Sequence, residues 1–416
     1  MKATLAKALT AVCLAAALLV APTTLQPAGA ESVEAVAARP APTLGKSDLA
    51  PLLKNKAAAM ISVGHVYVNH PRHGLIRVQS TIDRRMQAQA EKMLAKQKSR
   101  RTAVAMVDAH TGRVLVLAGS EAGRLDPSQA IDAEPPAASL FKLVTAAATL
   151  EETPLAPNSK VSYSGHAHTL YRNQVAQKLR KWAHQITLSY SFAQSNNPVF
   201  GRLGVFRLGH GLLTRYAQAL GFEQQLDFEL PVEPSHLFNL NPKDSFAVAE
   251  LASGYNRETT TSALHAALMV STFVNGGRMP QPYVVQRVTD ARGDLLYVGQ
   301  PDIGPPVLSP KTCNDMEDLL HATVTCGTAR REFGNSRRDK VLRRLDLGGK
   351  TGTIRGPDRT ELYQWFAGYG RDQLTGRTYA IATLAVHGKV RYTNPRQVAA
   401  QMLRAAFSLP QLAQVR

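Results

Sequence analysis

Residues 347–369 read LGGKTGTIRGPDRTELYQWFAGY. Leu347–Ile354 and Tyr363–Tyr369 are rich in β-branched, aromatic and small residues, and Arg355-Gly356-Pro357-Asp358 between them has turn chemistry, so the stretch reads as two antiparallel strands. Thr378–Val386 supplies a third β-rich run, and Pro395–Phe407 closes with a helical pattern. Near the other end, Thr102–Asp108 and Arg113–Leu117 are joined by Ala109-His110-Thr111-Gly112, where Gly112 can take positive φ, and these read as a hairpin. The middle, from Ala137 to Gly277, is mostly helical, with breaks at Pro154, Gly165, Pro198, Gly221 and Pro231. Strands at both ends of a helical middle imply one sheet closed by pairing early strands with late ones, with helices on its faces. A helix beginning after Ser80-Thr81-Ile82-Asp83, read as a capping box, carries Met86, Ala90, Met93 and Leu94 on one apolar stripe.

Three short patterns carry chemistry, and each occurs once in 416 residues: S-x-x-K at Ser139 and Lys142, S-x-N at Ser195 and Asn197, and K-T-G at Lys350, Thr351 and Gly352, followed by Thr353. Three residues apart at a helix start, Ser139 and Lys142 share a face, so an amine can reach the hydroxyl. Glu134-Pro135-Pro136 blocks an earlier helix and places Ser139 near an N-terminus, where free N–H groups favour a developing anion. A free lysine has a pKa of about 10.4, so keeping Lys142 neutral near pH 7 costs roughly 4 to 5 kcal/mol. Burial against Phe141 and Leu143, and the positive charge of Lys350, act in the required direction. Ser195 can pass a proton between Lys142 and a leaving group, and Asn197 can donate to and accept from a substrate amide.

In this order the motifs resemble the penicillin-binding transpeptidase family, whose serine acyl-transfer signature is shared with class A β-lactamases. The resemblance extends over residues 76–416 through Val107-Asp108, Thr111-Gly112, Phe273-Val274-Asn275-Gly276-Gly277, Cys326-Gly327-Thr328-Ala329 and Trp365-Phe366-Ala367-Gly368-Tyr369. It implies an α+β fold: an antiparallel five-stranded sheet flanked by helices, with a mostly helical subdomain at about 150–280. It implies Ser139 as the acylated nucleophile, Lys142 as its base, and Ser195 with Asn197 as the second motif. Lys350, Thr351, Gly352 and Thr353 then form the substrate-binding strand, and the backbone N–H groups of Ser139 and Thr353 the oxyanion hole. The implied partners are peptidoglycan stem peptides and β-lactam antibiotics, with no cofactor and no metal. The segment before Ile76 is too short for a glycosyltransferase domain, so a separate glycan polymerase is expected.

Alternatives remain open at this level. A D,D-carboxypeptidase differs only in using water as acceptor. A β-lactamase needs a deacylating Glu after S-x-N, for which Glu229 and Glu233 stand in the expected stretch. A non-catalytic β-lactam sensor or scaffold would not need Ser139. His166-x-His168 is explained by alternation along a strand.

An apolar fraction of 44% and a charged fraction of 19% describe a folded protein and exclude a disordered one. The net charge of +18 suits an anionic polymer or surface, with nucleic acid the least expected partner. Lys2, Lys7, the apolar run Ala8–Ala21 and Ala28-Gly29-Ala30 read as an export signal over residues 1–30, either cleaved or kept as an anchor. The protein is therefore expected in the periplasm or on the outer face of the cytoplasmic membrane. Residues 31–75 read as a linker and short approach. Cys313 and Cys326 read as small core residues flanking a helix at 314–323, too far apart to pair.

Overall fold

The computed structural model describes residues 43–179, 181–334 and 338–408. Its central sheet is antiparallel, in the order Leu345–Arg355, Leu362–Asp372, Thr378–His387, Arg101–Asp108, Val114–Glu121, Arg124–Leu125. The five expected strands are present, and the sixth is a two-residue rung on the edge. Early and late strands meet where Tyr379–Val386 pairs with Asp108–Arg101. Gly112 does adopt φ +75° in the hairpin turn, and a Cβ there would lie 2.1 Å from the Gln281 carbonyl oxygen, so glycine alone fits.

Period-2 alternation divides the strands between two cores. Ala103, Ala105 and Val107, with Ala380, Ala382 and Leu384, face a layer containing Phe141, Val144 and Leu268. Val104, Met106 and Ile381 face the opposite layer, built from Met86, Leu94, Leu403 and Phe407. The alanines leave room for the helix Ala263–Val274, whose twelve residues are all buried. The edge strand, which carries Lys350, packs against Pro310–Thr325 and against the turn that carries Ser139.

Three expectations about the flanks change. The segment to residue 75 is not a linker from Thr43 onward: it forms helices Lys46–Leu53 and Ala57–Val63 and the strand His65–His70. That strand pairs with Gly74–Ser80, which pairs in turn with Val285–Thr289, so an apolar set including Leu49, Leu53, Met60 and Ile76 joins the main core. The folded unit therefore starts well before Ile76. Ser80 is not a helix cap; its hydroxyl donates to the Gly64 carbonyl, and Asp83 caps Arg84–Leu94 by accepting from the Arg85 and Met86 amides. The cap has moved three residues because Ser80 is held in a strand. Cys313 is buried within Pro310–Thr325, but Cys326 lies beyond that helix and is exposed, and both are free.

The 150–280 stretch is helical at Leu188–Ala193, Asn197–Leu203, Gly209–Ala219, Ser245–Ser253 and Ala263–Val274, and it also contains the ribbon Lys160–Tyr163 with His184–Thr187. No helix among the described residues is long and apolar enough to cross a membrane. Residues 1–30, read above as an export signal, lie outside the described residues.

Candidate active site

Backbone constraints hold the segment before Ser139. The Pro135 carbonyl accepts from the Thr261 amide, the Pro136 carbonyl from the Trp365 indole N–H at 2.9 Å, and the Ala137 amide donates to the Thr259 carbonyl. Ala138 sits at φ +50°, a conformation costly for a residue with a Cβ. Behind it, Gly254 has φ +62°, and a Cβ at that position would stand 2.0 Å from the Ala138 carbonyl oxygen. Ser139 then lies in a single 3₁₀ turn, Ala138–Phe141, that continues into the helix Lys142–Glu152, so the hydroxyl and the amine fall on one face as the spacing requires.

Lys142 has no solvent exposure. Its Nζ lies 2.9 Å from Ser139 Oγ, 2.7 Å from Asn197 Oδ1 and 2.5 Å from the Ser253 carbonyl oxygen. Burial, then the charge of Lys350, holds the Lys142 amine well below its ordinary pKa. Geometry agrees with this. An amide oxygen and a carbonyl oxygen can only accept, so they take the two N–H bonds of a neutral amine and leave its lone pair toward the Ser139 O–H. The ring beside the amine is Phe200, 5.7 Å away, a contact that the reading of the neighbouring Phe141 and Leu143 missed.

The second motif is brought in by two short helices. Ser195, at φ +56°, ends Leu188–Ala193, and Asn196 caps Asn197–Leu203 by accepting from the Val199 amide. Ser195 Oγ lies 2.9 Å from Lys350 Nζ and makes no hydrogen bond to Lys142 among the described residues. The expected Ser195–Lys142 relay is thus replaced by a Ser195–Lys350 pair. Asn197 likewise differs: Oδ1 is committed to Lys142, and Nδ2 donates to the His168 carbonyl at 3.1 Å, leaving one N–H for a substrate.

Lys350 is fully buried beside the Phe192 ring, and burial lowers its amine to a pKa of about 7. Its Nζ also donates to the Thr351 carbonyl at 2.7 Å. The Thr351 hydroxyl is 2.5 Å from that of Thr328, whose amide donates to the Ala193 carbonyl, so the Cys326–Ala329 segment ties the edge strand to the second motif. Gly352 stands opposite Trp365, and Thr353, which is exposed, opposite Gln364. Ser139, Ser195, Asn197, Thr351, Gly352 and Thr353 all line one cleft of about 360 Å³.

Among the residues of that cleft that sequence reasoning gave no role are His168, Tyr255 and Arg396. His168 stands in a turn at its rim and not on a strand, and partial burial with the charges of Lys142 and Lys350 lowers its imidazole. Arg396 reaches the cleft from the last helix, held by the Thr328 carbonyl and by Glu332. Tyr255 follows Gly254. Nothing in local sequence marks Arg396 or Tyr255, because the contacts that place them span long separations; His168 was visible only as half of an H-x-H pair. Glu229, buried, accepts from the Val284 amide and the Tyr297 hydroxyl, and Glu233 is exposed; neither lines the cleft. Among the described residues no cluster of His, Cys, Asp or Glu could hold a metal.

Comparison with known proteins agrees with this geometry. The model of the penicillin-binding protein transpeptidase domain matches residues 102–408. Penicillin-binding protein 1A of Neisseria lactamica is 29% identical over 199 residues, which are 47% of this chain and 21% of that protein, so the match spans about a fifth of that relative. Among solved structures, the D,D-transpeptidase domain of a peptidoglycan glycosyltransferase from Eggerthella lenta superposes with a TM-score of 0.65 at 22% identity, over 84% of this chain and 90% of that one. The ceftriaxone acyl-enzyme complex of penicillin-binding protein A from M. tuberculosis gives 0.62 at 21% identity, over 80% and 79%.

Proposed function

The chain belongs to the penicillin-binding protein transpeptidase family, and on that premise we propose that it is a D,D-transpeptidase that cross-links peptidoglycan stem peptides through an acyl-enzyme on Ser139. The observation that carries this reading is the environment of Lys142: a buried amine with two acceptors and one hydroxyl around it, 2.9 Å from Ser139 Oγ.

In the proposed reaction Ser139 Oγ attacks the carbonyl of the penultimate D-Ala while its proton passes to the Lys142 lone pair. The oxyanion is met by the backbone N–H groups of Ser139 and Thr353, each such donor being worth about 3 to 4 kcal/mol in the transition state. Protonated Lys350, with Thr351 and Arg396, holds the terminal carboxylate. The tetrahedral adduct collapses, the C–N bond breaks, and terminal D-Ala leaves after receiving a proton. That proton comes from Lys142, which returns to the neutral state the next step needs, while Lys350 stays protonated and bonded to Ser195. An amine from a neighbouring stem then attacks the ester and gives its proton to Lys142, which passes it to Ser139 Oγ as the C–O bond breaks, leaving the free hydroxyl and the neutral amine. β-Lactams enter by the same attack, but the amine released when the ring opens stays tethered to the acyl group and occupies the place of the acceptor.

This reading places the protein outside the cytoplasmic membrane, beside a separate glycan polymerase. The test is incubation with a stem peptide ending in D-Ala-D-Ala, with and without an acceptor amine, followed by mass spectrometry. Cross-linked dimer that needs both Ser139 and the acceptor supports the proposal. Loss of D-Ala to water alone makes the protein a D,D-carboxypeptidase, and no turnover combined with stable penicillin binding makes it a sensor.

A further inference from the structure

Next to the catalytic cleft lies a second cavity of about 740 Å³ that shares Tyr255 and Thr353 with it. Four arginines line it: Arg257, Arg355, Arg359 and Arg391, all exposed. None of them takes part in an ion pair among the described residues. Of the acids nearby, Glu361 is engaged with Arg100 and the Tyr363 hydroxyl and Asp358 with Thr360, while Glu258, beside Arg257 in the chain, forms no ion pair among the described residues. Arg257 also donates from Nε to the Arg355 carbonyl, which fixes the end of the strand. Four guanidiniums without an ion-pair partner around one concavity form a receptor for anions, and carboxylate is the group their planar fork fits best in a peptide.

The position of the cavity says which part of a substrate reaches it. Thr351 and Arg396 line the cleft, and Lys350 lies fully buried next to Thr351, so a hydroxyl and positive charge gather where a terminal carboxylate belongs. From there the strand runs through Thr353 to Arg355, about 7 Å further at ~3.3 Å per residue, and it is the open edge of the sheet. A peptide laid along that edge with its attacked carbonyl at Ser139 sends its leaving group toward Lys350 and its acyl portion past Thr353, into the arginine cavity.

We propose that the arginine cavity binds a carboxylate carried by the acyl-donor side of the substrate, so that this protein acylates donors bearing an anionic group upstream of the attacked carbonyl in preference to neutral ones. The inference rests on the acyl-enzyme reading above and deepens it by naming the charge of the donor. Arg355, Arg359 and Arg391 are specificity residues, and Arg257 is a positioning residue for the strand.

The probe is a pair of penicillins on one nucleus, the 6-amino group acylated with adipic acid in one and with its terminal monoamide in the other. Their second-order rates of Ser139 acylation are measured by competition with a fluorescent penicillin, at low and at physiological salt, on the intact protein and on Arg355→Gln/Arg359→Gln/Arg391→Gln. The carboxylate compound is expected to react about three- to tenfold faster at low salt, with the advantage shrinking as salt screens exposed charges. In the triple variant the advantage should vanish while the monoamide rate stays unchanged, which also shows that the variant is folded. Equal rates in the intact protein, or a preference that survives the triple substitution, overturn the inference and leave the acyl-enzyme standing. Failure of both penicillins to label Ser139 overturns the acyl-enzyme and the inference together.

Discussion

Two buried lysines in one site, Lys142 against Ser139 and Lys350 against Ser195, cannot both be charged at little cost, and the residues around them decide which one is neutral. Lys142 has acceptors for two N–H bonds and a hydroxyl for its lone pair, whereas Lys350 meets a hydroxyl that can accept and a carbonyl. Burial lowers both amines, and Lys142 also feels the charge of Lys350, which acts in the same direction. Each amine is protonated below its pKa, so acylation needs a pH above that of Lys142 and, for carboxylate binding, below that of Lys350, at about 7. We expect the second-order rate of penicillin acylation to be bell-shaped, with an alkaline limb centred at about 7 in the free enzyme. A rate that climbs steadily to pH 9 would show that Lys350 does not supply the charge. The residues in the motifs were legible because each motif is local. Their pairing was less so: the preference of Ser195 for Lys350 and of Asn197 for Lys142 depends on how two helices are set against an edge strand, and no spacing along the chain encodes it.

Among the elements, the turn that carries Ser139 is the most constrained. Ala138 at φ +50° is tolerable only because Gly254 lies against its carbonyl and Trp365 grips Pro136. Gly254→Ala adds a Cβ 2.0 Å from that oxygen at a left-handed φ, and we expect it to lower stability by about 2 to 4 kcal/mol in urea unfolding and to abolish penicillin labelling. Trp365→Phe keeps the ring in the core but leaves the Pro136 carbonyl without its donor, a loss of about 1 to 3 kcal/mol. It should slow acylation without changing how long label persists once formed. Unchanged acylation in Trp365→Phe would mean that the indole serves packing alone. The strands were readable from their alternation and from Gly-Pro turns, and so was the final helix. The cap at Asp83 was misread as Ser80 because capping residues recur within three positions there and the competing strand is set by the distant Val285–Thr289.

At the scale of the whole molecule, the chain from Thr43 to Leu75 is part of the fold. Alanine-, proline- and lysine-rich composition hid it, because short helices such as Lys46–Leu53 and Ala57–Val63 show too few turns for a clear period. Their burial comes from packing beneath a hairpin that adds to strands some two hundred residues away, with the Thr43 and Leu44 amides both donating to the Leu296 carbonyl. A protein begun at Thr43 should be monomeric and soluble, while one begun at Ile76 should aggregate, since it strips His65–His70 from the remaining strand, leaving that strand's edge open, and uncovers the core. Size-exclusion chromatography of the two distinguishes them, and equal behaviour would show that the early helices are dispensable.

The central claim is that Ser139 forms a long-lived acyl-enzyme with Lys142 as its base. Labelling the protein with a fluorescent penicillin, beside Ser139→Ala and Lys142→Ala, and following loss of label over time tests it most directly. We expect labelling that vanishes in Ser139→Ala, falls by about 10² to 10⁴ in rate in Lys142→Ala, and persists for many minutes in the unaltered protein. Label lost within seconds would mean a β-lactamase, and label retained without Ser139, or none at all, would contradict the claim.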